Sequence, residues 1–169
     1  MRAKDPCPCK SGALYIDCCR PAHTGEVAPK CPQDLVRARY AAFALGLGEF
    51  LHATLGEGHP DRVPPSPLST PAEVAARVAE LSRAGRSLKY MGVSILESDE
   101  DEALFLAKVF QKGADRSFAE LSSFAWQDGI LRYTGGRLLP RTALPETWGS
   151  MTRATFRDLS EGHPALVVG

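Results

Sequence analysis

The residues best suited to chemistry are four cysteines near the start of the chain, Cys7-Pro8-Cys9 and Cys18-Cys19. Eight residues separate the pairs, Lys10-Ser11-Gly12-Ala13-Leu14-Tyr15-Ile16-Asp17. Four soft sulfurs in so short a span suit one tetrahedral ion, Zn(II) before iron, at about 2.3 Å per bond. Pro8 stiffens the first pair, and Ser11-Gly12 permits a tight turn beneath the ion. Leu14, Tyr15 and Ile16 can pack over it and keep water out. Redox thiols are the rival reading, although the spacing is Cys-x-Cys plus a vicinal pair and not Cys-x-x-Cys. A secreted disulfide scaffold would spread its cysteines and follow an apolar leader, whereas Arg2-Ala3-Lys4-Asp5-Pro6 leads straight into them. The expected setting is therefore the reducing cytoplasm. His23 follows Cys19 by four residues and, with four sulfurs in place, is expected to support the site from behind. Cys31 matches no ligand spacing and reads as a spare thiol in a linker.

Cys7-Pro8-Cys9-Lys10-Ser11-Gly12, then Tyr15 and Cys18-Cys19, resembles the SEC-C motif, a small zinc-binding knuckle first noted at the C-terminus of the SecA translocation motor. The resemblance implies that all four cysteines are ligands. The motif usually has glycine where this chain has Lys10, and again after the last ligand, where it has Arg20. Both changes add positive charge beside a formally dianionic zinc tetrathiolate.

The whole chain, this module included, has 169 residues, 44% hydrophobic and 24% charged, enough for one domain plus an appendage. Twenty basic residues balance twenty acidic ones, so no global positive field drives nucleic-acid binding. No apolar run approaches the roughly 20 residues of a membrane span.

The remaining elements follow from periodicity. Prolines at 21, 29 and 32 mark residues 20–33 as a connector. Asp34 is a candidate cap for a helix carrying Leu35, Ala38, Ala41, Ala42 and Leu45. Residues 49–55 read as a short second helix and 56–69, rich in glycine and proline, as a loop. Thr70-Pro71-Ala72-Glu73 is a capping box that starts a third helix, stopped at Gly85. From residue 88 the period becomes that of strands: 88–96, 103–111, 118–127 and 130–134, with Asp128-Gly129 as a hairpin turn. The acidic stretch from Glu97 to Glu102 reads as a solvated hairpin tip. Helices first and antiparallel strands afterwards imply α+β.

Parts of this region are similar to the YchJ-like family, which joins an N-terminal SEC-C motif to a nuclear-transport-factor-2-like (cystatin-like) domain. The similar segments are Cys18–Gly25, Leu35–Gly46, Phe50–Thr54 and Glu120–Phe124, then Asp128-Gly129 and Tyr133. The resemblance implies a zinc knuckle at 1–25, a cone of helices against a curved antiparallel sheet at 26–136, and a C-terminal extension at 137–169. The chain departs from the pattern at Leu131 and Leu55, where the family usually has tryptophan, and in having no second cysteine motif in its tail. The tail is expected to be a poorly constrained extension that packs against the sheet or against another chain, with one short helix near 152–159.

Cones of this kind often enclose an apolar cavity. The candidate pocket residues are Arg39, Tyr40, Tyr90, Glu120, Ser122 and Trp126. Glu120 is expected to pair with Arg37 or Arg39 across the helix–sheet contact rather than act as a base. His52, His59 and His163 stand singly, and no nucleophile elbow or phosphate loop is present. The leading expectation is a zinc-binding cytoplasmic adaptor or interaction protein. Arg2, Lys4, Lys10 and Arg20 would face an acidic protein surface or the ribosome. Sequence-specific nucleic-acid binding is not expected. The alternative is a small-molecule-binding protein or enzyme that uses the cone, with zinc purely structural.

Overall fold

Along the run 103–107 successive side chains are buried on opposite sides. Ala103, Phe105, Ala107 and Val109 enter one apolar cluster, while Leu104 and Leu106 enter another. A strand covered on both faces must be apolar almost throughout, and this one lies inside the sheet. The computed structural model describes residues 2–63, 69–161 and 166–168.

The cysteine-bearing segment ends in a 3-10 turn at Tyr15–Asp17 and one helical turn, α1 (Arg20–His23). Three helices follow: α2 (Pro32–Leu45), α3 (Gly48–Ala53) and α4 (Pro71–Ala84). The strands are β1 (Lys89–Ser98), β2 (Glu102–Gln111), β3 (Ala114–Asp115), β4 (Phe118–Gln127), β5 (Ile130–Pro140) and β6 (Leu166–Val168). They pair antiparallel in the order β1-β2-β4-β5-β6, with β3 on the end of β2. Irregular register between Tyr90 and Gly92, Ile95 and Glu97, and Ser123 and Phe124 marks bulges, which bend strands. The result is the expected α+β cone.

Local signals account for the helix starts. Thr70 Oγ1 accepts from the Glu73 N–H, and Glu73 Oε2 accepts from the Thr70 N–H, so the capping box at α4 is complete. At α2 the first turn begins at Pro32, which puts Cys31 in the cap position. Asp34 lies inside the first turn, and Cys31 is not in a linker. Of the proline-rich loop, residues 64–68 lie outside the described residues, as does His163.

The other correction concerns the C-terminal third. Strand β5 continues past residue 136 to Pro140, and helix α5 (Arg153–Glu161) returns across the far face of the sheet. Phe156, fully buried, packs there with Leu104, Leu121, Leu139 and Met151. The acidic stretch is the exposed tip of the β1–β2 hairpin, as expected, and it also docks the tail: Arg153 bonds Glu97, Asp99 and Glu102, and Arg157 also bonds Glu102. The hydrogen bond from Arg153 holds the Asp99 carboxyl down at about 2. Among the described residues, no helix is long and apolar enough to cross a membrane.

Candidate functional site

Two features of the cone can do chemistry, and the first is the knuckle. The Cys7 N–H donates to the Ala13 carbonyl at 3.0 Å and the Lys10 N–H to the Cys7 carbonyl at 2.9 Å, folding the insert back on itself. The four sulfurs of Cys7, Cys9, Cys18 and Cys19 then lie within 4.8 Å of one another. Sγ of Cys9 stands 3.4 Å from that of Cys7 and 3.6 Å from that of Cys18, and Cys18 and Cys19 are 3.8 Å apart. Thiolates bound tetrahedrally at about 2.3 Å would be about 3.8 Å apart, so the set fits one ion with shifts of no more than about 1 Å. None of the four is in a disulfide. Crowding divides their protons unevenly. Hydrogen bonds from Cys19 and then Cys7 hold the Cys9 thiol far below its usual range, and Cys19 is pushed far above its own. A soft dication in place of the shared protons resolves that competition. Ser11 Oγ, 3.2 Å from Cys18 Sγ, steadies the most exposed ligand.

The knuckle is built into the cone and not hung from it. Cys7, Cys9 and Cys19 share one buried cluster with Leu35, Val36 and Tyr40 of α2. The Val93 N–H of β1 donates to the Cys9 carbonyl at 3.2 Å. A Cβ on Gly92 would stand 3.1 Å from the Lys10 Cβ, so the β1 bulge is where the knuckle sits closest. His23 completes the join. The Ala38 carbonyl can only accept, so His23 Nε2 donates to it at 2.9 Å, and Nδ1 accepts from the Tyr15 hydroxyl at 2.9 Å. His23 thus bolts the residue that covers the knuckle to α2. Lys10 has φ of 60°, a left-handed conformation that costs a side-chain-bearing residue about 1 kcal/mol. Lys10→Gly should therefore stabilise the protein by about 1 kcal/mol at most, measured by denaturant unfolding.

The second feature is a cavity of about 260 Å³ between α2, α4 and the sheet. Arg39, Tyr40, Tyr90, Glu120 and Ser122 all line it, with aromatic walls from Phe43, Phe105, Phe118 and Phe124. Tyr40 also holds the frame: its hydroxyl donates to the Lys108 carbonyl and accepts from the Gly92 N–H. Arg39 is buried and uses Nη1 on the Leu51 carbonyl (2.9 Å) and Thr54 Oγ1 (2.6 Å). Its guanidinium lies over the Tyr133 ring at 4.7 Å, and burial lowers its pKa to about 10. The ion pair expected between Glu120 and Arg37 or Arg39 is absent among the described residues. Glu120 Oε1 instead accepts from Ser122 Oγ at 2.7 Å and from the Tyr133 hydroxyl at 2.9 Å. Gly136 on β5 makes room for this group, since a Cβ there would lie 2.7 Å from the carboxylate.

Burial pushes the Glu120 carboxyl above its ordinary 4.5, against the opposing pull of Ser122, Tyr133 and Arg39. The folded state then holds this proton more tightly than the unfolded chain. Its contribution to stability is full below pH 4.5 and is lost as pH rises through the folded value. Glu120→Gln keeps an acceptor oxygen but cannot ionise. Its stability relative to the parent should rise between pH 5 and pH 8 in thermal melts, because the histidine contributions are common to both proteins.

Trp126 does not belong to the pocket. Pairing of β2 with β4 ends at Glu102 and Ser123, so the last residues of β4 pair with β5 alone, and Trp126 is 57% exposed. His59 does belong to it and carries no sequence signal, because only the fold brings its loop against the ring of Tyr133. Arg20 is not a free cation of the knuckle, since it pairs with Glu26 at 3.3 Å.

A metal-binding cysteine knuckle fused to a cone of helices on a curved antiparallel sheet is the architecture of SEC-C proteins with a nuclear-transport-factor-2-like domain. A family profile described as "YchJ, middle NTF2-like domain" matches residues 31–136, and the chain belongs to that family. A UPF0225 protein of Deinococcus radiodurans is 38% identical over 127 residues, covering 73% of this chain and 82% of its own. A UPF0225 protein of Sodalis glossinidius is 30% identical over 156 residues, covering 87% and 93%. The solution structure of a SEC-C motif containing protein from Rhodopseudomonas palustris, 25% identical, superposes with a TM-score of 0.60 over 77% of this chain and 95% of that one.

Proposed function

We propose that this protein is a cytoplasmic small-molecule-binding protein whose ligand occupies the cone, and that a zinc ion in the knuckle is a structural fastening. The observation that carries the reading is the cavity itself. Phe124 forms part of its wall and does not fill it, Leu106 lies on the opposite face of the sheet, and Trp126 is outside. At about 260 Å³ it is slightly smaller than the roughly 300 Å³ at which ligand sites commonly begin, which suits a ligand of about ten heavy atoms. Its polar groups converge on one region of an otherwise aromatic lining, as in a site that orients its ligand. Zinc agrees with four thiolates and a closed coordination shell. Thiols left free side by side agree with a reducing compartment.

Ala84 is exposed and also lines the cavity, so it stands at the mouth. Ala84→Trp should block entry while leaving the melting temperature and metal content unchanged. Fragments of about ten heavy atoms should perturb amide resonances of the lining residues in the parent protein and not in the variant. Equal perturbation in both proteins, or perturbation elsewhere only, contradicts the reading.

A second reading has its own observation. Arg2, Lys4 and Lys10 are exposed around the knuckle together with Leu14, which is 41% exposed. This surface would suit an acidic protein face or the ribosome. Co-sedimentation with purified ribosomes should be lost in a Lys4→Glu, Lys10→Glu variant if the knuckle is a recognition surface, and unchanged if it is only structural.

A further inference from the structure

We propose that the ligand of the cone is a small apolar carboxylate, anchored by Arg39 and His59 with its hydrocarbon part against Phe43, Phe105 and Phe124. The proposal rests on the reading of the cone as a binding site and adds the chemical class of what it binds.

The first observation is an unused donor. His59 is 4% exposed and lines the cavity. Its Nδ1 accepts from the Asp61 N–H at 3.1 Å, so the ring proton resides on Nε2. That nitrogen is buried and, among the described residues, has no hydrogen-bond partner. Burial also keeps the imidazole neutral, so the N–H is a fixed donor with nothing to donate to. A buried unpaired donor costs about 1–3 kcal/mol, a cost that an acceptor oxygen on a ligand removes.

The second observation is a buried cation without an adjacent anion. Among the described residues no carboxylate lies within ion-pair distance of Arg39, and only its Nη1 is engaged. Glu120 offers its Oε1 to Ser122 and Tyr133, and burial drives it toward the neutral acid. The Asp61 carboxylate is turned to Arg77 at 3.3 Å. Buried charges are ordinarily paired, and here the partner is missing. Arg39 and His59 approach the same ring: the guanidinium lies over Tyr133 and the imidazole beside it, with centroids 5.5 Å apart. A planar group with two acceptor oxygens and one negative charge answers both needs, and a guanidinium fork is shaped for it. An amine would meet the cation and the donor with nothing to accept from them. The whole cavity holds about nine water volumes and is lined mainly by aromatic and aliphatic carbon, so the rest of the ligand is compact and apolar.

The test compares 3-phenylpropanoate, 3-phenylpropanamide and 3-phenylpropylamine, which share one hydrocarbon, by titration against the amide resonances of the metal-loaded, full-length protein. The carboxylate should bind at least tenfold more tightly than either analogue, with shifts on the cavity residues. His59→Phe, which removes the donor and keeps a ring, should reduce carboxylate affinity about tenfold and leave the amide within about twofold. Arg39→Met should abolish the preference. Because Arg39 also holds α3, the His59 variant carries the test if Arg39→Met fails to fold. If the amide or the amine binds the cavity as tightly as the carboxylate, the ligand class is wrong and the binding site stands. If none of the three perturbs the cavity residues, both readings fall.

Discussion

Cys19→Ser should lower the melting temperature by more than about 10 °C, and saturating chelator should do the same to the parent protein. Metal binding to small tetrathiolate modules contributes several kcal/mol to folding, and in isolated fingers about 10–16 kcal/mol. The effect should not stay within the knuckle. Cys19 is 3% exposed and belongs to the cluster that contains Leu35, Val36 and Tyr40, so loss of the ion loosens the seat of α2. A loss of 3–5 kcal/mol in a chain of this length corresponds to roughly 10–15 °C, at about 2–4 °C per kcal/mol. Scanning calorimetry with and without chelator measures it. Cys31→Ala is the control: Cys31 stands in the cap position of α2 without a side-chain capping bond and is not part of the sulfur cluster, so its melt should be unchanged by comparison. A Cys19→Ser protein that melts with the parent would mean that the knuckle is an independent appendage.

Phe156→Ala is the second large effect, expected to cost about 3–5 kcal/mol although it lies in the C-terminal tail. Phe156 is fully buried, and it is the aromatic anchor that joins α5 to Leu104, Leu121 and Leu139 on the far face of the sheet. Truncation leaves a cavity against strands that cannot close, because the same strands form the wall of the cone on their other side. Urea unfolding should show a lower midpoint. Removing Arg153 should matter much less, because its ion pairs with Glu97, Asp99 and Glu102 are partly solvated. If Phe156→Ala and Arg153→Ala have equal, small effects, the tail is peripheral after all.

The contrast between these two sites explains what could be read from the sequence. The knuckle was legible because its chemistry is local: four ligands and the turn joining them fall within thirteen residues. The same holds for the start of α4, where Thr70 and Glu73 satisfy each other's backbone, and for the Asp128-Gly129 turn. Helix α5 is legible in the sequence to within two residues, but its docking surface stays open there between the sheet and another chain, because one phenylalanine at a helical period does not choose between them. Strand β5 is legible in the sequence only over 130–134, and it continues through Gly135-Gly136 to Pro140. Gly136 is there to clear Glu120, a reason that exists only once β4 and β5 pair. Trp126 shows the reverse error. Its alternation with Phe124 is real, but alternation cannot tell that β2 stops short of it. His59 was missed altogether, since a lone histidine in a glycine-flanked loop has no period, and its burial beside Tyr133 depends on the whole cone.

The claim on which the rest depends is that the four sulfurs hold one zinc ion as a fastening of the fold. Elemental analysis of protein purified anaerobically tests it most directly. The account predicts one equivalent of zinc per chain, with four thiols that become titratable only when the metal is displaced. Metal-free folded protein, with Cys18 joined to Cys19 or Cys7 to Cys9 by a disulfide, would contradict it.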